Sequence, residues 1–263
     1  MIQPTLKVTQ KILLPAFSVV LISLIMGYGA SGQKTTTPSS KKGKLEAYSY
    51  SQDVKTDTQT VENFTYTSSD MIATGKHAVY HQKKQFLTAT GDIVLDDTKN
   101  HVTGDKAEVD DSPNKKLAII TGKVVITVKP KADPTKPVST SGNKKEVNVA
   151  DERNRGVVVT CNRVENSYKK KFVVMKGEPI FTQKITREDG TVLTRVLTCE
   201  HVEYDGKTEK AVLFAPVKMT DSDGGESNFE QNVLIGTKEG EETVSSKGKS
   251  SSVFPVKEDD TPQ

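Results

Sequence analysis

The sequence predicts an all-β protein in which antiparallel strands form an elongated stack of two-strand repeats. Two observations lead to this fold class. One supersecondary unit recurs four times along the chain, and apolar side chains alternate with a period of two inside every copy. The composition agrees, because 34% hydrophobic residues and no Trp in 263 residues suit a thin, extended core better than a compact globule.

The repeated unit is a short alternating strand, a polar turn and a second alternating strand with a small residue near its centre. The four copies are residues 73–95, 102–126, 159–181 and 197–219. Residues 45–70 alternate loosely and predict two or three opening strands, as an atypical terminal cap of a stacked fold would. The period therefore predicts a stack of hairpins.

One face of the second strand is apolar in every copy, because successive side chains of a strand point to opposite faces. The residues on this face are Leu87, Ala89, Gly91, Ile93 and Leu95; Ala118, Ile120, Gly122, Val124, Ile126 and Val128; Val173, Met175, Gly177, Pro179 and Phe181; Ala211, Leu213, Ala215, Val217 and Met219. A slip of one residue would reverse the pattern, so the register is well specified. Stacked copies would form one continuous apolar wall.

The chain divides by composition into a leader, a linker, a body and a tail. Residues 12–30 carry no charge and follow Lys7 and Lys11, which is typical of a cleaved signal peptide (residues 1–30) or of an N-terminal membrane anchor formed by an apolar helix. Residues 31–44 predict a flexible linker and residues 238–263 a disordered tail. Residues 45–237 form the β body, either as one domain or as two stacked halves, 45–129 and 156–237, around an exposed insert at 130–155.

Charge is unevenly distributed. Residues 221–263 contain 4 Lys against 10 Asp or Glu, so the remaining 220 residues contain 33 basic against 24 acidic side chains. This excess is compatible with an ordinary solvated surface, or with attraction of an anionic ligand or membrane headgroups. A nucleic-acid partner is not expected, because the basic residues are dispersed and the leader predicts export.

No catalytic or metal-binding constellation is recognisable. One repeat position holds His77, Lys106, Arg163 and His201, and the Glu residues two positions further on are Glu108, Glu165 and Glu203. This pattern predicts ion pairs on the outside of the sheet rather than a site. Motifs of zinc peptidases, phosphate-binding loops and serine hydrolases are absent from the sequence. We expect no enzyme activity, no metal and no cofactor.

The two cysteines, Cys161 and Cys199, occupy the repeat position at which the earlier copies have Gly75 and Gly104. If they lie side by side in successive rungs, an exported protein would allow them to form a disulfide. Two small residues filling a crowded site as free thiols fit the sequence equally well.

Two segments carry a resemblance to a known family. Residues 103–109, TGDKAEV, followed by a Lys-rich turn and residues 119–126, IITGKVVI, resemble the OstA-like family of lipopolysaccharide-transport proteins. That family includes the soluble periplasmic bridge protein LptA and the membrane-anchored protein LptC. The likeness is clearest over residues 73–128 and weaker over 159–219. The two cysteines, the Pro-rich insert and the length depart from the family pattern.

The resemblance implies a V-shaped antiparallel β-jellyroll in the periplasm that shields acyl chains during lipopolysaccharide transfer from the inner to the outer membrane. It implies lipopolysaccharide or a similar anionic lipid as ligand, and other jellyroll transport proteins as partners through edge-strand pairing. The protein would be tethered to the inner membrane by residues 12–30 or released after signal cleavage. The apolar wall would line the groove, with these residues as candidates: Leu87, Ile93, Leu95, Ile120, Val124, Ile126, Val128, Val173, Met175, Phe181, Leu213, Val217 and Met219.

Two alternatives remain open on the sequence. An apolar wall of this size either binds something apolar or is closed as a core, and a filled core would fit a structural or adhesive exported stack. A β-helix enzyme acting on polysaccharide is a weaker alternative. Such an enzyme needs clustered carboxylates, whereas Asp96, Asp97, Asp110 and Asp111 fall in predicted turns.

Overall fold

The computed structural model describes residues 44–68, 71–130, 156–186, 190–236 and 243–253. These residues form seventeen strands: β1 (Lys44–Asp53), β2 (Thr58–Thr67), β3 (Met71–His81), β4 (Phe86–Asp97), β5 (Asn100–Asp110), β6 (Leu117–Val128), β7 (Val157–Ser167), β8 (Phe172–Lys176), β9 (Ile180–Thr186), β10 (Val192–Thr198), β11 (His201–Asp205), β12 (Lys210–Leu213), β13 (Val217–Asp221), β14 (Glu226–Phe229), β15 (Val233–Gly236), β16 (Thr243–Ser246) and β17 (Ser250–Val253).

The prediction of an all-β protein is confirmed for the described part of the chain, which contains strands and no helix. It therefore contains no helix long and apolar enough to cross a membrane. Every strand pairing is antiparallel, which differs from the parallel architecture of a β-helix enzyme. The predicted apolar helix at 12–30, residues 31–43 of the predicted linker and residues 131–155 of the predicted insert lie outside the described residues.

Strands β1 to β7 form a simple meander in which each strand pairs with the next along the chain. Beyond β7 every long strand is interrupted and continues as two short ones. The first part of β7 pairs with β9 and its last part with β8, and this division continues to the end of the sheet. The sheet thus has two arms. Arm I contains β9, β10, β13, β14 and β17, and arm II contains β8, β11, β12, β15 and β16. In the long strands β1 to β7, the half that continues the ladder of β9 belongs to arm I, and the half that continues the ladder of β8 belongs to arm II.

The long strands β4 and β6 bend where the later strands break. The ladder of β4 is irregular between Thr90 and Ile93, and Gly91 and Asp92 there have φ values of 78° and 50°. The ladder of β6 is irregular at Gly122 and Lys123, which have φ values of 80° and 44°. The small residue at the centre of the first two repeats is thus a bulge residue, and in the last two repeats Gly177 and Ala215 lie in the breaks between strands. A bulge bends a strand and increases its twist, so this line of bulges separates arm I from arm II.

The predicted register of the second strands is confirmed on both sides of the bulge. Leu87 and Ala89 are buried before it, and Ile93 and Leu95 are buried after it. The first strand of a unit differs from the second, because its inward-facing positions change from even to odd residue numbers, or the reverse, at the bulge. In β5 the buried positions are Val102 and Gly104, then Ala107 and Val109.

Two rows of directly opposite residues cross the inner face, from β1 to β17 in arm I and from β2 to β15 in arm II. The row in arm I is Leu45, Tyr66, Ala73, Leu95, Val102, Ile126, Val159, Phe181, Leu197, Met219, Ser227 and Ser252. The row in arm II is Val61, Ala78, Ala89, Ala107, Ile120, Val164, Met175, Val202, Leu213 and Val233. The repeats therefore place their apolar columns on one side of one sheet, as predicted.

The body is joined into one sheet across the insert, because β6 pairs with β7 from Leu117 opposite Ser167 to Val128 opposite Val157. The two stretches 45–129 and 156–237 are therefore continuous in the sheet. The end of the sheet differs from the prediction. Strands β16 and β17 lie within residues 238–263, where composition predicts disorder. Backbone pairing with β15 and β14 needs no apolar side chains, so the Ser-rich sequence is compatible with two short strands.

We predict that the bulge line tolerates no added side chain at Gly104. A Cβ at this residue would lie 2.5 Å from Cγ2 of the buried Ile120. Gly104→Val should lower the free energy of unfolding by about 1–3 kcal/mol or more through overpacking. Thr103→Val, on the opposite face one residue earlier, should change it by less than about 0.5 kcal/mol. Urea unfolding of both variants checks this, and equal stabilities would contradict the packing described above.

Candidate functional site

The thirteen residues predicted to line a groove all occur on strands, and they divide into two groups by burial. Seven are at most 3% exposed: Leu87, Ile93, Leu95, Ile120, Val124, Leu213 and Val217. Six are half-buried: Ile126, Val128, Val173, Met175, Phe181 and Met219. Five of the seven buried residues lie on β4 and β6. Of the six half-buried residues, four lie on β8, β9 or β13 and two lie at the end of β6 beyond Val124.

The two arms face each other and close the inner face in the first half of the sheet. A cavity of about 10 Å³ remains there, lined from arm I by Phe64, Ala73, Thr74, Ile93 and Leu95 and from arm II by Leu87, Ala89, Ala107 and Val109. This volume is about that of one water molecule. Side chains therefore fill this part of the interior, and an acyl chain has no room in it.

The inner face is more open in the second half of the sheet. Along the arm I row, Phe181, Leu197 and Met219 are opposite one another on β9, β10 and β13, and all three are half-buried. Phe181 and Leu197 pack against a smaller core of Cys199, Val202, Leu213, Val217 and Val233. Apolar side chains that keep contact with solvent on a concave face are the usual lining of a site for an apolar ligand.

Leu197 and Phe229 pack against this second core but were absent from the predicted lining. Both lie outside the second strands of the repeats, where the alternation was read. In the first strands the inward phase changes at the bulge, so a pattern with a strict period of two does not identify their inner residues. The signal that would have found Leu197 is its register opposite Phe181 and Met219.

The polar end of the arm I row marks where the apolar lining stops. Met219 is opposite Ser227, which is opposite Ser252, and the two serine hydroxyls are 3.0 Å apart. Ser227 is 5% exposed and is a buried polar residue in the described core. The apolar part of this row therefore extends from Leu45 to Met219.

The two cysteines are free and buried, and the disulfide that the sequence left open is not formed. Thr160 and Thr198 both pair with Ile180, so Cys161 and Cys199 flank the fully buried Pro179 on either side. One strand thus separates them. Two strand spacings amount to about 10 Å, whereas a disulfide needs Cα atoms within about 7 Å. Equivalent positions in successive two-strand units lie two strands apart, because the second strand of the first unit separates them. The repeat pattern alone does not distinguish this spacing from direct contact.

Burial governs the chemistry of both thiols. It raises the pKa of Cys161 to about 11, and it raises the pKa of Cys199 to about 11. The thiolate is the reactive form of cysteine, so these thiols are inert at neutral pH. They act as small core residues at the bulge line.

The repeated residues Lys106, Glu108, Arg163 and Glu165 form ion pairs on the sheet, as predicted. Lys106 Nζ donates to Glu108 Oε1 at 2.6 Å, and Arg163 Nε donates to Glu165 Oε1 at 2.8 Å. Lys176 of the next strand donates to the same Glu165 oxygen at 3.0 Å. The hydrogen bond from Arg163, with that from Lys176, holds the pKa of the Glu165 carboxyl below its usual value.

The two histidines at this repeat position, His77 and His201, have other neighbours. His77 Nδ1 lies 2.7 Å from Glu62 Oε1 across the β2–β3 ladder. The His201 ring stacks on Phe214 with centroids 3.8 Å apart, at the break between β12 and β13. Within the described ranges, no three His, Cys, Asp or Glu residues are grouped so that they could hold a metal ion.

We predict that Ellman's reagent reacts very slowly with the native protein at pH 8 and rapidly with two thiols after denaturation. The raised pKa keeps both groups protonated and burial excludes the reagent. Since the folded pKa lies above the unfolded value of about 8.5, the thiols contribute stability that is lost as pH rises from about 8.5 towards 11. Rapid native labelling, or no free thiol after denaturation without reductant, would contradict the assignment.

Comparisons with known proteins give a likeness of fold but no likeness of sequence family. No family model matches the chain, and no curated protein matches it. The structure is similar to the crystal structure of LptH from Pseudomonas aeruginosa, described as the LptA-homologous periplasmic component of the conserved lipopolysaccharide transport device. The sequences are 12% identical, the match covers 82% of this chain and 96% of that chain, and the TM-score is 0.26. At that TM-score, an assignment of function depends on the residues of this chain.

Proposed function

We propose that this chain is an OstA-like lipopolysaccharide-transport protein that binds the acyl chains of lipopolysaccharide, or of a similar anionic lipid, between its two arms. In this role it works in the periplasm, where it shields the lipid from water between the inner and outer membranes. The proposal contains no catalytic step. The sequence motif at residues 103–126 suggested the family, and the geometry of the inner face supports the ligand class.

The half-buried apolar row formed by Phe181, Leu197 and Met219 carries the proposal. The first half of the sheet shows that the two arms can meet and exclude solvent from their inner faces. The second half retains the same apolar inner face without complete closure. A folded protein rarely leaves large apolar side chains on a concave face unless that face binds something.

The chemistry of this surface fits hydrocarbon. The inner rows of both arms are aliphatic or aromatic from β2 to β13, with no charged residue. Each methylene group that leaves water for such a surface is worth roughly 0.8 kcal/mol, so partial enclosure of a long acyl chain already gives substantial affinity. The anionic headgroup would remain outside, near the lysines of the turns.

The edges of the sheet support the proposed assembly with similar proteins. In the described residues β1 pairs only with β2, and its side chains from Glu46 to Asp53 are exposed. At the opposite edge, β16 pairs only with β15 and β17 only with β14. Open edges present unpaired backbone groups to another chain. The second edge of the described sheet is therefore formed by β16 and β17.

A structural or adhesive stack with a filled core is the second candidate. The observation that favours it is the closed first half, in which Leu87, Ile120 and Val124 are at most 2% exposed. In that case Phe181, Leu197 and Met219 would simply be the looser end of one core. Lipid binding by the folded protein separates the two candidates.

We predict that Phe181→Asp abolishes lipid binding while Ile180→Asp preserves it. Phe181 lies on the inner face, whereas its neighbour Ile180 is 39% exposed on the outer face. The new carboxylate at 181 would lie against hydrocarbon without a partner, which costs several kcal/mol. Isothermal titration of the full chain with lipopolysaccharide, each variant beside the unaltered protein, measures the difference.

Thermal melts of both variants provide the control. Because Phe181 is half-buried, its variant should remain folded, with a lowered melting temperature. If folded Phe181→Asp binds lipid as well as Ile180→Asp does, the acyl chains do not bind in the cleft, that is, between the two arms beside Phe181. If the unaltered protein binds no lipid, the filled-core candidate replaces the proposal.

The open edge at β1 gives a further prediction. We expect the sedimentation-average mass of the protein to rise with concentration, and Tyr48→Lys with Tyr50→Lys to reduce this rise. These side chains are 85% and 48% exposed on β1, and lysines on an edge strand oppose pairing with a second strand. Lys substitutions at Ile72 and Val192, which are exposed away from β1, serve as the control. An unchanged mass at all concentrations would contradict edge pairing.

A further inference from the structure

Among the described residues, five hairpin turns meet along one margin of the sheet, at the ends of the arm II strands. They are residues 54–57, 82–85, 111–116, 168–171 and 206–209. Backbone hydrogen bonds join each turn to the next. Gln82 N donates to Asp57 O at 3.0 Å, Asp111 N to Gln85 O at 2.8 Å, Tyr168 N to Lys116 O at 3.1 Å, and Gly206 N to Lys171 O at 2.7 Å. The turns therefore form one ordered ridge rather than five independent loops.

The ridge is strongly basic. Its turns contain nine lysines, namely Lys55, Lys83, Lys84, Lys115, Lys116, Lys169, Lys170, Lys171 and Lys207, against the three carboxylates of Asp57, Asp111 and Glu209. Asp53, Asp110 and Asp205 at the adjoining strand ends are engaged in shaping the turns, since each accepts a backbone hydrogen bond from its own turn. Counting them still leaves a positive ridge.

Several of these lysines project freely into solvent. Lys116 is held by Asp111 at 2.6 Å, and Lys115 by Asp110 at 3.0 Å. By contrast, Lys84, Lys170 and Lys207 are exposed, and no carboxylate of the described residues lies within ion-pair distance of their ammonium groups. Every turn from the second to the fifth thus contributes at least one exposed lysine.

The geometry of the ridge is linear. Successive turns on one margin of a meander are separated by two strand spacings, which is about 10 Å. Five turns therefore place lysines at roughly 10 Å intervals over about 40 Å. That is a row of charges matched to an extended anionic surface rather than to a single phosphate group.

The residue types indicate the kind of surface. All nine cations are lysines, which attract anions as mobile point charges, and none is an arginine, which would recognise individual phosphates bidentately. The aromatic residue of the ridge, Tyr168, donates its hydroxyl to Asp111 at 2.7 Å and has Lys116 over its ring. It is therefore not available to stack on bases, as single-stranded nucleic acids require. Val54, in the first turn, is 80% exposed and adds an apolar contact.

We propose that this basic ridge docks the protein on the surface of an anionic phospholipid bilayer. Polybasic segments bind such surfaces through the summed attraction of their lysines, at roughly a fivefold gain in binding for each lysine near the headgroups. The ridge lies at the outer margin of arm II. Docking therefore places this margin of the sheet against the membrane surface. The inference concerns a surface outside the cleft and holds whether or not lipid enters the cleft.

Site-specific labels on the full chain test the docking. A bilayer-sensitive fluorophore is attached at Asn114→Cys in the ridge or at Thr98→Cys in a turn on the opposite margin. Both residues are exposed, and the native cysteines are buried. Two kinds of vesicle are used, and both contain a quencher attached to lipid. The anionic vesicles consist of phosphatidylglycerol and phosphatidylcholine, and the neutral vesicles consist of phosphatidylcholine alone. We expect quenching of the ridge label in the anionic vesicles only, and its loss at about 1 M NaCl, where the screening length is about 3 Å.

Charge-reversed variants locate the effect. The ridge variant carries Lys84→Glu, Lys170→Glu and Lys207→Glu, and the matched control carries Lys99→Glu, Lys123→Glu and Lys184→Glu. All six residues are exposed, and both variants change the net charge equally. The ridge variant should lose at least tenfold in the affinity of the quenching titration, and the control should lose less than threefold.

Three results would overturn the inference. These are equal quenching of the two labels, equal losses in the two charge variants, and displacement of the vesicles by stoichiometric duplex DNA, which would assign the ridge to nucleic acid. The Phe181→Asp variant keeps this test separate from the proposed function, because it leaves the ridge intact. It should dock as the unaltered protein does while failing to bind lipid in the cleft.

Discussion

The structure depends on one backbone constraint, which is the line of bulges and breaks crossed by the strands from β3 onwards. At Gly91, Gly122 and Gly177 the chain adopts φ near +80°, a conformation that glycine reaches without the steric cost of a Cβ. The residues that follow, Asp92, Lys123 and Glu178, also have positive φ. Because this line bends the sheet, the inner faces of the two arms can face each other. A flat sheet with the same sequence would leave its apolar wall in water.

The degree of closure follows from how the strands cross that line. In the first half, continuous strands such as β4 and β6 continue through their bulges, and Leu87, Leu95 and Ile120 of the two arms complete a filled core. In the second half, the strands stop and restart at breaks such as Pro179 and Ala215-Pro216, and Phe181, Leu197 and Met219 remain half-buried. The same apolar pattern therefore gives a solid interior at one end and an incompletely covered face at the other.

The two outer features of the molecule have different physical origins. Ion pairs such as Arg163–Glu165–Lys176 are half-exposed and weak individually, and they occupy the repeat position that a sequence search would select for chemistry. The basic ridge arises because the turns of a meander return to the same margin every second strand. Lysines such as Lys84 and Lys170, far apart in the chain, therefore lie in one charged row. The first feature stabilises the sheet locally, and the second creates a field that extends into solvent.

The sequence alone determined the β class, the repeats and the inward register of the second strands, because a period of two is a local property that survives in Leu87, Ala89, Ile93 and Leu95. Tertiary structure decided the rest. The phase change in β5 between Gly104 and Ala107 depends on the bulge in the paired strand, and the separation of Cys161 from Cys199 depends on Pro179 lying between them. Pairing along β14 and β15 ordered β17 and β16 despite a sequence low in apolar residues. Whether an inner residue is sealed, like Val124, or half-open, like Phe181, depends on how the arms close, and no local pattern encodes that closure.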